Sequence, residues 1–213
     1  MIEQSRCLPG FIVFESIDGA GTTTQIRLLA EKLAAAGVPC RRDAEPTSGP
    51  IGQLIRQALS GHLPLHAATV AHLFAADRAE HVEGSSGIRA NCAAGRLVLS
   101  DRYLFSSLAY QGLTCGRSLP ERLNQDFPLP ELLFFFHLPA ETGMDRMKDR
   151  TSLEIYEQLD FQRQVAAAYE EVMERFRDSG LRLCRIDASQ SIEQISATIW
   201  QEIERLLAAR SGG

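Results

Sequence analysis

Phe11 to Ile17 (FIVFESI) is a run of aromatic and β-branched residues carrying one acid, and it ends at a turn that contains Gly19 and Gly21. Beyond the turn, Thr23 to Ala36 (TTQIRLLAEKLAAA) repeats its apolar residues every three or four positions, as a helix with one buried face does. Gly37 ends that helix. Short apolar runs return at Val38 to Arg42, Arg96 to Ser100, Leu132 to Leu138 and Leu181 to Ile186. Between them the spacing predicts helices near Ile51 to Leu59, Ala67 to Glu83, Ser106 to Gln111, Ala140 to Lys148, Ile155 to Asp178 and Ile192 to Ala209. Strands alternating with helices predict an α/β fold of three layers around a parallel five-stranded sheet. No internal repeat or low-complexity tract divides the chain; Gly84 to Gly87 (GSSG) is a short break, and one domain is expected over residues 1–213.

Composition narrows the function classes. Hydrophobic residues make up 45% and charged residues 23%, near the average for globular proteins, so a disordered or fibrous chain is a poor fit. A net charge of −5 supplies no overall attraction to nucleic acid or to anionic membranes, and neither is an expected partner. Cys7, Cys40, Cys92, Cys115 and Cys184 are widely spaced and odd in number, which suggests mostly buried, reduced thiols rather than a disulfide framework or a zinc site. His62, His66, His72, His81 and His137 pair with no acid or cysteine at a ligand spacing and are expected to be structural or surface residues. The N-terminus lacks the features of a secretion signal, and Leu132 to Leu138 (LLFFFHL) is too short to span a bilayer. A cytoplasmic protein is the expectation.

The turn after the first strand has the outline of a phosphate-binding loop. Such loops need glycines so that backbone N–H groups surround phosphate oxygens, a lysine for the outer phosphates and a hydroxyl for magnesium. Here the frame is SIDGAGTT: Gly19 and Gly21 are in place and Thr23 stands at the magnesium position, but Ser16 replaces the first glycine and Thr22 the lysine. Asp18, Gly19, Ala20, Gly21, Thr22, Thr23 and Thr24 are the candidate ATP-binding residues. Thr22 to Thr24 form a row of hydroxyls at a helix start, suited either to phosphate or to capping.

Three further stretches follow in order: Glu45-Pro46-Thr47, then Phe74 to Arg78 (FAADR), then Asp101 to Gln111 (DRYLFSSLAYQ). With the loop they make the first half of the chain resemble the thymidylate kinase family of P-loop nucleoside monophosphate kinases. The DRY stretch with its SSLAYQ continuation is the most specific element. The resemblance implies that Mg2+-ATP and dTMP are the substrates and that the chain forms a homodimer. It also implies roles. Asp101 organises magnesium with Thr23, Arg102 and Arg56 hold the acceptor phosphate, and Phe74 and Arg78 receive the thymine. Tyr110, Gln111 and Ser106 close the nucleoside pocket, Asp18 lies near the deoxyribose, and Glu45 and Pro46 reach the phosphate region. The pattern departs at Ala44, where the family has arginine, and at Thr47 and Ser48, where it has two glycines.

Phosphoryl transfer rests on positioning and positive charge, so the missing lysine requires another cation. Arg146, Lys148 and Arg150 (DRMKDR) fall where the family has its lid, expected over residues 143–157, and Arg146 and Arg150 are the candidate catalytic cations. Arg41 and Arg42 are further sources of charge, and Arg146 also suits stacking on adenine. The competing expectation is a homologue that binds dTMP, dTTP or ATP without turnover, motivated by Ser16, Thr22 and Ala44 departing together. A deoxynucleoside kinase fits less well, because the arginine of the DRY stretch serves a monophosphate.

Overall fold

The computed structural model describes residues 7–148 and 158–211. Five strands form one sheet in the order β2-β3-β1-β4-β5, every neighbouring pair parallel. They are β1 (Cys7–Ser16), β2 (Cys40–Ala44), β3 (Leu97–Asp101), β4 (Leu129–His137) and β5 (Arg182–Asp187). Phe11, Ile12, Val13 and Phe14 of β1 and Leu132 to Phe134 of β4 are fully buried, which is why these central strands read as unbroken apolar runs rather than alternating ones. Helices α1 (Thr22–Ala35), α2 (Pro50–Leu59), α3 (Ala67–Glu83), α4 (Ile88–Ala93), α5 (Leu104–Ser106), α6 (Gly112–Cys115), α7 (Ser118–Asn124), α8 (Ala140–Met147), α9 (Leu159–Arg175) and α10 (Ile192–Ser211) flank the sheet. The layering is the α/β arrangement that the alternation of patterns predicts.

Register sets the site. Phe14 and Ala44 both lie opposite Asp101, so the carboxyl ends of β1, β3 and β2 finish together. The chain leaves β1 toward β2 on one side of the sheet and leaves β3 toward β4 on the other. Parallel sheets bind ligands at such a reversal, beyond the strand ends.

Several elements differ from the spacing. β2 runs two residues beyond Val38 to Arg42, because Asp43 and Ala44 continue the ladder with β3. The helix expected at Ser106 to Gln111 is a wider π-turn over Ser107–Gln111 that joins α5 to α6. Helices α4 and α7 had no expectation; at six and seven residues they are too short for a periodic signal. The expected helix from Ile155 begins, within the described residues, at Leu159. The five cysteines are unpaired, as expected, but each is half-buried rather than fully buried.

Candidate active site

Gly19 and Gly21 have φ of 79° and 89°, the left-handed region that glycine enters without steric cost. Gly19 also faces α8: a Cβ there would stand 2.3 Å from the Gly143 carbonyl oxygen, and a Cβ on Gly143 would stand 2.5 Å from the Asp18 carbonyl oxygen. Loop and helix thus touch backbone to backbone. Gly21 precedes α1 without a side-chain cap, which leaves the first N–H groups of that helix for an anion. The cleft above the loop, about 370 Å³, is walled by Asp18 and Thr22 to Thr24 on one side and by Asp101, Arg102 and Arg146 on the other.

The row of threonines does not behave as a row. Thr22 Oγ1 donates to Asp101 Oδ1 at 2.9 Å and Thr23 Oγ1 to Asp101 Oδ2 at 2.6 Å, so the residue in the lysine's place binds a carboxylate rather than capping the helix. Thr23 and Asp101 set two oxygen donors side by side, which suits Mg2+, a cation that takes one or two protein oxygens and completes its shell with phosphate and water. Among the described residues there is no group of three or more His, Cys, Asp or Glu able to hold a metal by itself.

Arg102 follows Asp101 in a left-handed turn, φ 71°, a conformation that costs a non-glycine residue roughly 1–3 kcal/mol. Its own N–H donates to Phe14 O at 2.9 Å and Ser100 Oγ donates to its carbonyl at 2.8 Å, which hold that turn. The guanidinium reaches back over β1: Nη1 donates to Ser16 O at 2.9 Å, and Nη2 pairs with Asp18 Oδ1. It lies 5.4 Å from the centre of the Tyr110 ring. The other oxygen of Asp18 accepts from Tyr110 Oη at 3.2 Å and from Gln162 Nε2 at 2.9 Å. Asp18, Asp101, Arg102 and Tyr110, far apart in sequence, therefore meet at the end of β1.

Glu45 forms a second cluster. Its Oε2 accepts from Arg78 Nε at 2.9 Å and Nη2 at 2.6 Å, and its Oε1 meets His81 Nδ1 at 3.0 Å, with all three side chains buried. Arg78 Nη1 also donates to Asn124 and Nη2 to Ser107, so one Nη1 proton is without a partner among the described residues. Burial would lower the His81 pKa, yet Asp43 and Glu45 on its two nitrogens raise it to about 9. Thr47, after the cis Glu45–Pro46 bond, donates through N–H and Oγ1 to Asp77. Arg56 Nη1 and Nη2 donate to the carbonyls of Thr47 and Pro46, each at 2.5 Å. A second cleft of about 410 Å³, lined by Arg41, Arg42 and Arg56, shares Thr23, Ala44 and Asp101 with the first.

Other candidates are more dispersed. Phe74 is half-buried on α3, whereas Gln111 is buried with its Oε1 unpartnered among the described residues, a polar atom suited to a ligand. Arg146 is exposed at the cleft, with Nη2 on Ala188 O at 3.1 Å. Arg150, with most of the expected lid, lies outside the described residues. Arg41 is occupied by Asp43 and Ser86 O. Residue spacing did not point to Glu15, Gln162, Tyr169, Asp43 or His81. The one available signal was Glu15, an acid inside the apolar run FIVFESI; Tyr169 and Gln162 sit in α9 like any helix residue facing the core.

The thymidylate kinase family profile matches residues 14–199. A Treponema pallidum chain, provisionally named a thymidylate kinase, is 41% identical over 199 residues, covering 90% of this chain and 93% of its own length. The thymidylate kinase of Desulfotalea psychrophila is 37% identical over 203 residues, covering 93% and 96%. That of a Synechococcus strain is 35% identical over 209 residues, covering 95% and 98%. This chain belongs to the thymidylate kinase family.

Proposed function

We propose that the protein transfers the γ-phosphoryl group of ATP to dTMP, giving dTDP and ADP. The observation that carries this reading is the meeting of Asp18, Asp101 and Arg102 at the carboxyl ends of β1 and β3, beside a glycine loop that opens a helix. Loop N–H groups and the start of α1 receive the donor phosphates. Arg102 receives the acceptor phosphate, with Ser16 and Asp18 holding its guanidinium in place. Arg56 assists from α2. Asp18 faces the sugar, and Phe74, Arg78, Ser106, Tyr110 and Gln111 surround the nucleoside, with Glu45 and Pro46 supporting the phosphate end.

Magnesium, held by Thr23 and Asp101, neutralises phosphate charge when bound. The positive charge that Thr22 cannot supply comes from Arg146 at the end of α8 and from Arg150, which lies outside the described residues. The homodimer rests on the family resemblance, the single domain on chain length and the cytoplasmic location on composition. No helix among the described residues is long and apolar enough to cross a membrane.

Arg102→Ala is the direct test of the acceptor site. Loss of a preorganised charge donor lowers turnover by about 10² to 10³. Chromatographic assay of dTDP should show that loss while the melting temperature changes little; full activity in this variant would remove Arg102 from the mechanism.

A further inference from the structure

Next to Arg102 three oxygen atoms meet in a triangle. Ser106 Oγ is 2.7 Å and Tyr169 Oη 2.8 Å from Glu15 Oε2, and the two hydroxyls are 2.7 Å apart. Glu15 and Tyr169 are wholly buried. Arg102 Nη1 points at the same two hydroxyls, at 3.4 Å and 3.3 Å. The other oxygen of Glu15 accepts the N–H of Tyr103 at 2.8 Å and that of Ser106 at 3.2 Å. Glu15 therefore grips the backbone just after the left-handed turn at Arg102 and also the hydroxyls facing its guanidinium.

Hydrogen-bond polarity gives this arrangement a direction. A carboxylate only accepts, so an ionised Glu15 draws hydroxyl protons to Oε2 and leaves hydroxyl lone pairs toward Arg102 Nη1, which only donates. A protonated Glu15 becomes a donor to one of the two hydroxyls, turns the hydroxyl protons away from Oε2 and removes a negative charge from behind the guanidinium. We propose that Glu15, acting through Tyr169 and Ser106, is the positioning residue that holds Arg102 in its phosphate-receiving orientation. Tyr169 lies on α9, which also carries Gln162 on Asp18, so one helix braces both members of the Arg102–Asp18 pair. The inference rests on the proposed role of Arg102 at the acceptor phosphate.

Burial pushes the Glu15 carboxyl up to about 7, against the lowering effects of Ser106, Arg102, Tyr169 and the Tyr103 N–H. The charged or titratable groups facing it are Arg102 and Tyr169, with Asp18 beyond Arg102, while Tyr103 meets it through its backbone N–H alone. Burial drives the Tyr169 phenol far up, so Glu15 is the member of the set that titrates near neutrality.

The test is calorimetric binding of dTMP between pH 6 and 9 to the unaltered protein, Glu15→Gln and Tyr169→Phe, with melting temperatures recorded alongside. In the unaltered protein, affinity should fall as pH drops through about 7, beyond the effect of the nucleotide's own phosphate ionisation, which is common to all three proteins. Glu15→Gln should remove that dependence and bind about 10-fold more weakly at pH 8. Tyr169→Phe takes one donor from Glu15, so its dependence should move to higher pH. ATP affinity should stay within about twofold in both variants, a split that general loosening of the fold would not give. Three equal pH profiles, or parallel loss of ATP and dTMP binding, would overturn the proposal. Where Glu15→Gln does not fold, the displaced profile of Tyr169→Phe decides. Binding is read without turnover, so an inactive protein would defeat the kinase assignment and leave this test intact.

Discussion

At the scale of single residues, Thr22 is the informative departure. The loop pattern leads one to look for what the threonine does to phosphate, but its hydroxyl is spent on Asp101. Thr22→Val keeps the side-chain shape and removes that donor; with Thr22 buried, the expected cost is about 1 kcal/mol of stability, read as a lower denaturant midpoint with an unchanged slope. Glu45→Gln is expected to be far more damaging, about 3–5 kcal/mol, because it strands the Arg78 guanidinium in the interior. Residues that sequence made legible are those whose identity carries chemistry in a motif: Asp18, Asp101, Arg102. Their partners were not legible. Glu15, Tyr169 and Gln162 come to Arg102 and Asp18 only once β1, β3 and α9 are packed together, and no local spacing encodes that contact.

At the scale of elements, the close approach of α8 to the phosphate loop constrains both. Gly143→Ala places a methyl group 2.5 Å from the Asp18 carbonyl oxygen, and because the obstacle is backbone, α8 or the loop must move. Overpacking of this kind costs about 1–3 kcal/mol. ATP affinity should fall together with the melting temperature, whereas a variant at Gly112, where a Cβ meets only Arg117 Cγ at an ordinary 3.9 Å, should show neither effect on this account. Long helices were legible, α1, α3 and α10 among them. The short α4 and α7 were not, and the π-turn at Ser107–Gln111 departs from the 3.6-residue repeat on which helix spacing depends.

For the whole molecule, the parallel sheet followed from the alternation of strand and helix patterns, while the strand order that brings Asp101 beside Phe14 did not, since tertiary pairing leaves no local trace. Two buried groups link stability to pH. Glu15 and His81 both hold their protons more tightly in the folded chain, with pKa values raised to about 7 and about 9 from 4.5 and 6.5. Such groups contribute stability fully below their unfolded values and lose it as pH rises: Glu15 between 4.5 and about 7, His81 between 6.5 and about 9. The melting temperature should therefore decline from pH 6.5 to 9, and His81→Gln should flatten that decline.

The central claim, that a phosphate loop without its lysine still serves a thymidylate kinase, comes to one measurement: chromatographic detection of products from the purified protein with Mg2+-ATP and dTMP, beside thymidine and an acceptor-free control. The expected result is dTDP and ADP in equal amounts with dTMP and neither with thymidine. Bound dTMP with no dTDP formed would contradict it and leave a protein that keeps its acceptor site without the transfer.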